Sequence, residues 1–221
     1  MTRAAPRAVL WDMDGTLVDS GDLHFDAWRE TMRVLGRDLT RPEFDATFGQ
    51  RNDTILRRLV DPAISDAEID RIGDEKEARY RALVAAQGIR PLAGALDWLR
   101  ALAGAGWRQA IASSGPRANT EAIIEALGLH GAFAAIVAAE DVTHGKPHPE
   151  VFLTAAARLG VAPARCVVVE DAPPGIEAGH RAGMPTIGVL STHPALAADR
   201  VVAALTDLEA DAFERMIASA D

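Results

Sequence analysis

The chain has 221 residues, 48% of them apolar and 25% charged, with a formal net charge of −9. That length can bury a full core, as one large domain or two unequal ones, and the acidic balance excludes an extended nucleic-acid-binding face, which would be basic. No run of about 18 apolar residues is present to span a membrane, and the apolar stretch before Asp12 is too short for a signal-peptide core.

The first element is the apolar run Val9-Leu10-Trp11, read as a buried strand because Gly15 leaves no room for a helix. Strand residues alternate between faces, so Asp12 and Asp14, two apart, leave it on the same side. Two adjacent acids repel each other and lose hydration, which a cation or a proton between them relieves. Gly15 then permits a sharp turn, and Thr16 offers a hydroxyl just beyond the acids. The plainer alternative for the stretch by itself is a hydrated turn, since Asp and Gly are common there.

From Ser20 to about Gln87 the chain is dense in charge and reads as four helices: Asp22–Leu35, Pro42–Phe48, Asn52–Val60 and Asp66–Ala86. Leu23, Trp28, Met32 and Leu35 keep helical spacing, as do Ile69, Ile72, Tyr80 and Leu83. Asp61-Pro62 breaks the pattern and Ser65 caps the last helix. No strand-like alternation appears here, and an insert of this size is a separate small domain rather than a loop.

Ile89 to Gly94 is a connector, followed by a helix through Trp98, Leu99 and Leu102. Strand-like runs then fall at Gln109–Ala112, Ala134–Ala138, Cys166–Val169 and Thr186–Leu190, with helices at Ala118–Leu127, Glu150–Leu159 and Gly175–Ala182 between them. This alternation predicts an α/β fold with a parallel sheet covered on both faces, its site beyond the carboxyl ends of the strands. Thr206–Ala220 reads as a final packing helix with Leu208, Phe213 and Met216 inward. The single cysteine, Cys166, allows no internal disulfide, which fits a reducing, cytoplasmic setting. Within its strand it is a small buried side chain rather than a reactive nucleophile.

Polar clusters stand at those strand ends. Ser113-Ser114-Gly115-Pro116 suits a phosphate cradle of hydroxyl and amides or a plain helix cap, with Pro116 at the first helical position. Gly145-Lys146-Pro147-His148-Pro149 is a rigid segment that either sets an ammonium beside an anion or leaves a lysine in solvent. Val167-Val168-Val169 ends in Glu170-Asp171. Adjacent acids on a strand face opposite ways, so one is the direct metal ligand and the other supports it.

In order, Asp12/Asp14, Ser113, Lys146 and Glu170/Asp171 resemble the four motifs of the haloacid dehalogenase-like superfamily. The segments 145–152 and 170–179 look like its β-phosphoglucomutase and sugar-phosphatase branch. The resemblance implies a Rossmann-like core of residues 1–19 and 89–221, with a small all-helical cap domain, residues 20–88, inserted after the first strand. It implies Asp12 as nucleophile, forming an aspartyl-phosphate, and Asp14 as acid and then base. Mg2+ would be held by Asp12, the Asp14 carbonyl and Asp171, with Glu170 in the metal's surroundings. Ser113, Ser114 and Lys146 would bind the phosphate. Superfamily dehalogenases lack the second aspartate, so Asp14 argues against dehalogenation.

His24, Arg51, Asn52 and Lys76 are the candidate substrate contacts in the insert. His24 resembles the histidine of the first cap helix in the mutases, or is a plain surface histidine. The β-phosphoglucomutases carry a distal-phosphate arginine at a set distance from the glycine matched here by Gly49. Asn52 stands at that distance and Arg51 one residue early, about 100° round a helix and so facing away. The expected activity is therefore Mg2+-dependent hydrolysis of a small phosphomonoester, a sugar phosphate first. A phosphosugar mutase and a non-catalytic binding module are the alternatives. The partner is a small phosphorylated substrate, not a nucleic acid or membrane, and nothing demands more than a monomer or weak oligomer.

Overall fold

The computed structural model describes residues 5–218. The chain opens with β1 (Ala8–Trp11) and a short β2 (Val18–Asp19). It then runs through α1 (Gly21–Val34), α2 (Arg41–Asp45), α3 (Asn52–Leu59) and α4 (Asp66–Gln87) before returning along β3 (Arg90–Pro91). After it come α5 (Ala95–Gly104), β4 (Arg108–Ala112), α6 (Arg117–Leu127), β5 (Ala135–Val137), α7 (Glu150–Leu159) and β6 (Cys166–Glu170). The remainder is α8 (Pro173–Arg181), β7 (Thr186–Val189), β8 (Arg200–Val202) and α9 (Ala212–Ala218).

Six strands form one parallel sheet in the order β5-β4-β1-β6-β7-β8. β1 lies at its centre, with Leu10 level with Ala110 on one side and Val168 on the other. A strand buried on both faces needs apolar residues at every position, which is why β1 and β6 read as continuous runs rather than alternating ones. Period-two geometry then sorts those residues. Val9, Trp11, Val167 and Val169 pack beneath Leu99 of α5, Ile123 of α6 and Phe213 of α9. Leu10 and Val168 face Phe152 and Ala155 of α7 and Ala178 of α8. Cys166 is buried in that second layer, where loss of hydration pushes its thiol up to about 12 and keeps it protonated.

The four helices of the insert close over their own cluster, with Trp28, Met32, Phe44, Leu56, Ile69 and Ile72 inside. Ser65 caps α4 by accepting the Glu68 N–H, and α2 begins with a capping box between Thr40 and Glu43. The helix expected over Pro42–Phe48 ends at Asp45. The stretch expected to be a plain connector pairs instead: β3 runs antiparallel to β2, tying both ends of the insert together. β8 is a further strand not anticipated, three residues at the sheet edge. The last helix begins at Ala212, after a short 3-10 turn; Leu208 and Phe213 are buried and Met216 packs against the same core. Residues 219 and 220 of the expected helix lie outside the described residues. No described helix is long and apolar enough to cross a membrane.

Candidate functional site

The carboxyl ends of β1, β4 and β6 converge beneath the insert. The β1–β6 pairing continues one residue past β1, where the Asp12 N–H bonds the Val169 carbonyl at 3.0 Å. Gly15 turns the chain with φ +80°, and a Cβ there would overlap the Asp171 carboxylate.

Lys146 is no solvent lysine. Its side chain is 4% exposed, and its ammonium donates to Asp12 Oδ1 at 2.5 Å and to Glu170 Oε1 at 2.8 Å. Burial pulls the ammonium down, but Asp12 and Glu170 outweigh it and hold it above the ordinary lysine range. Glu170 Oε2 accepts the N–H groups of Asp171 and Ala172 at 2.8 and 2.7 Å, so both its oxygens are engaged. Asp171 accepts from Thr16 at 3.2 Å through one oxygen and from Thr192 through the other. Carboxylate oxygens of Asp12, Glu170 and Asp171 lie within 4.8 Å of one another. Burial, with the neighbouring acids adding to it, raises Asp12 and Asp171 above the usual carboxylate range. Three buried acids, two of them paired with one ammonium, form a hard-oxygen donor set suited to a divalent cation.

Asp14 has different company. Its Oδ1 accepts from His24 Nε2 at 3.2 Å and from the Tyr80 hydroxyl at 3.3 Å. Burial pushes this carboxyl up, but His24 beside it more than offsets that and holds it at about 2. The His24 ring is stacked on Tyr80, centroids 3.7 Å apart and 9° from parallel, and its Nδ1 lies 2.9 Å from Lys76 Nζ. A lysine ammonium can only donate, so Nδ1 is the acceptor and Nε2 carries the proton toward Asp14. Lys76 donates also to Glu77 Oε1 at 3.0 Å. Glu77 accepts further bonds from Asn52 at 2.8 Å and, across to the sheet domain's α6, from Asn119 at 2.6 Å. A continuous buried polar chain thus runs from Asp14 through the insert to α6.

His24 is therefore a buried group, not a surface histidine. Asn52 and Lys76 belong to the same chain. Arg51 corrects an expectation. It precedes α3 as its N-cap, with extended backbone (ψ 153°), so a helical 100° offset does not apply to it. Its stem lies against Gly145, it borders the cavity, and its buried NH1 has no hydrogen-bond partner among the described residues. Pro116 is likewise the N-cap of α6 and not its first residue. Ser113 does not cap that helix; its hydroxyl accepts the Gly115 N–H at 3.0 Å.

A cavity of about 530 Å3 separates insert and sheet. Asp12, Asp14, Ser113 and Ser114 line one wall; His24, Arg51, Asn52 and Lys76 line the other. This is the size of a small-molecule pocket. Glu77, Asn119 and Thr192 are not singled out by the sequence, and Tyr80 stands there only in an apolar helix stripe. The one available signal was spacing: Lys76 and Tyr80, four apart, share a helix face.

Residues 6–183 match the model of the haloacid dehalogenase-like hydrolases. The fructose-1-phosphate phosphatase of Escherichia coli (strain K12) is 33% identical over 181 residues, 82% of this chain and 95% of the relative. The β-phosphoglucomutase of Bacillus subtilis (strain 168) is 32% identical, covering 91% of each chain. Among solved structures, a haloacid dehalogenase-like hydrolase of family IA, variant 3, from Entamoeba histolytica superposes with a TM-score of 0.86 at 26% identity, over 96% of this chain and 99% of that one.

Proposed function

The chain belongs to the haloacid dehalogenase-like hydrolases, a family of enzymes whose relatives here are named phosphatases and a phosphomutase, and we propose that it hydrolyses a small phosphomonoester, a sugar phosphate first, with Mg2+. The observation that carries this reading is the division of labour between Asp12 and Asp14. Both open to one cavity, but the first sits among acids and an ammonium, the second against a histidine and a phenol. Asp12, beside the Lys146 ammonium and the other acids, is placed to attack a phosphoryl group held there, and Asp14, facing His24 and Tyr80, is placed to exchange protons.

Asp12 attacks phosphorus, forming an aspartyl-phosphate as the P–O bond to the leaving group breaks. With the phosphate dianion beside it, a like charge that raises its proton affinity, Asp14 takes up a proton from solvent and delivers it to the leaving oxygen. A water then attacks the phosphoaspartate, Asp14 takes its proton, and inorganic phosphate leaves with Asp12 restored. Lys146 and Ser113, with Ser114, bind the oxygens of the transferring group. The donor set described above fits Mg2+: Asp12, Asp171 and the Asp14 carbonyl would hold it. Bound there, Mg2+ supplies the charge compensation that lets a carboxylate approach a phosphate dianion. Glu170, with its oxygens committed to Lys146 and two amides, orients rather than ligates.

Residues 20–88 act as a cap domain over a core of 1–19 and 89–221, shielding the cavity from water. The protein works as a cytoplasmic monomer or weak oligomer.

One observation favours a phosphosugar mutase instead. The unpartnered Arg51 NH1 borders the cavity, where a second anionic group could meet it. Phosphate release from a panel of sugar phosphates and other monoesters, with Mg2+ or with EDTA, separates the readings when β-glucose 1-phosphate is also followed for conversion to glucose 6-phosphate. Magnesium-dependent release, lost in Asp12→Ala, supports the phosphatase. Isomerisation with little release overturns it in favour of the mutase. Full activity in EDTA refutes the metal, and no turnover on any ester leaves a binding module.

A further inference from the structure

Outside the cavity, one cluster of side chains has the chemistry of a metal site and no part in the reaction above. His144, His148 and Glu150 flank Lys146 in sequence, both histidines exposed, and their ligand atoms all lie within 4.8 Å of one another. His144 Nδ1 is 3.1 Å from Glu150 Oε2, and His148 Nδ1 is 3.7 Å from the same oxygen. The two rings are 4.6 Å apart, centroid to centroid.

We propose that His144, His148 and Glu150 form a second metal site, selective for a zinc-class divalent ion over Mg2+. A tetrahedral zinc ion with bonds of about 2.05 Å has ligand-to-ligand edges of about 3.4 Å. The two observed nitrogen–oxygen separations bracket that value, so small side-chain rotations would complete the triangle. Two imidazoles and one carboxylate suit zinc, nickel or copper, whereas Mg2+ prefers oxygen alone. The carboxylate is already fixed before any ion arrives: the backbone N–H groups of Thr143 and His144 donate to it at 2.9 and 3.0 Å. Both histidines are well exposed, at 63% and 49%, which leaves room for water as the fourth ligand. On uptake the ion takes the place of the Nδ1 proton that His144 shares with Glu150; that proton shifts through solvent to Nε2, and the bound imidazole is neutral.

The two clusters differ in exposure, the inner one buried and both histidines of the other exposed. Lys146 Nζ reaches inward to Asp12, while the residues two before and two after it hold the outer site. The proposal does not depend on which phosphate ester the cavity takes.

Isothermal titration with zinc chloride tests it, on the full chain free of any affinity tag and in excess MgCl2 to engage the inner carboxylates. The expected result is one Zn2+ per chain. His144→Ala and His148→Ala should each weaken it at least about tenfold, the loss typical even for groups that merely orient a ligand; the double variant should abolish it and Asp171→Asn should leave it unchanged. Cobalt(II) should give visible d–d absorption in the wild type that the double variant lacks. The His variants should keep wild-type circular dichroism and magnesium-dependent turnover. Zinc uptake that survives the double substitution, or that vanishes in Asp171→Asn, overturns the proposal, as does the absence of any uptake in excess Mg2+.

Discussion

Glu77→Gln changes one atom's identity and no shape, yet it should be among the more destabilising substitutions in the insert. The Glu77 and Lys76 side chains are 5% and 3% exposed, and their charged atoms are 3.0 Å apart. At an effective dielectric of about 20, unit charges at that distance attract by about 5 kcal/mol. Removing one partner of a buried pair costs about 3–5 kcal/mol, because the other charge stays buried without compensation. Glutamine also brings a hydrogen-bonding conflict. Glu77 accepts from Asn52, Lys76 and Asn119, so an amide NH2 would face a donor on either side. The expected loss is therefore about 3 kcal/mol or more, read from urea denaturation followed by circular dichroism. Lys76→Met with Glu77→Gln removes both charges and should recover much of that loss. A single variant within about 0.5 kcal/mol of wild type would refute the reasoning. So would a double variant whose loss equals the sum of the single ones.

Gly175→Ala places a Cβ 2.6 Å from Glu170 Cγ and overlaps the carboxylate. Overpacking of this kind costs about 1–3 kcal/mol; kcat should fall with it as Glu170 loses its hold on Lys146, and unchanged kcat would contradict the orienting role. His24→Asn removes the proton donor and stacking partner of the Asp14–Tyr80 pair, and kcat should drop roughly 100-fold; a variant as fast as wild type would sink that role. Asp141, held near about 2 first by Arg158, then by the Ala138 N–H and Arg117, contributes stability that is present above about pH 4 and lost as pH falls toward 2. The stability gap between wild type and Asp141→Asn should be full at pH 6 and mostly gone by pH 2; a gap as large at pH 2 as at pH 6 would mean the charge is not its source.

The strand ends were legible because their meaning is local. An apolar run that stops in Asp12-Met13-Asp14-Gly15 states in seven residues that a strand ends, which face the acids share and where the chain turns. The same holds for Val167 to Asp171, and the parallel sheet supplies the rest by bringing the ends of β1, β4 and β6 together. Helix lengths in the insert were readable to within a residue or two for α1, α3 and α4, where apolar spacing and the Ser65 cap agree. β2, β3 and β8 were not, since two or three residues carry no periodicity; the pairing of β2 with β3 joins positions 71 or more apart.

The cap side of the site failed for a different reason. Lys76 meets His24 across 52 positions and Asn119 meets Glu77 across 42, and each of these residues has an ordinary solvent reading when taken alone. Burial decides between the readings, and burial depends on how α1, α4 and α6 pack. Arg51 shows the same dependence at the scale of one residue. Counted along a helix it turns away from the substrate; as the residue just before α3 it lies against Gly145 at the cavity's edge. A helix boundary is uncertain from sequence by more than that single position. Residue spacing therefore identifies the core motifs, which sit on strands of known phase, while the placing of Arg51 follows from where α3 begins.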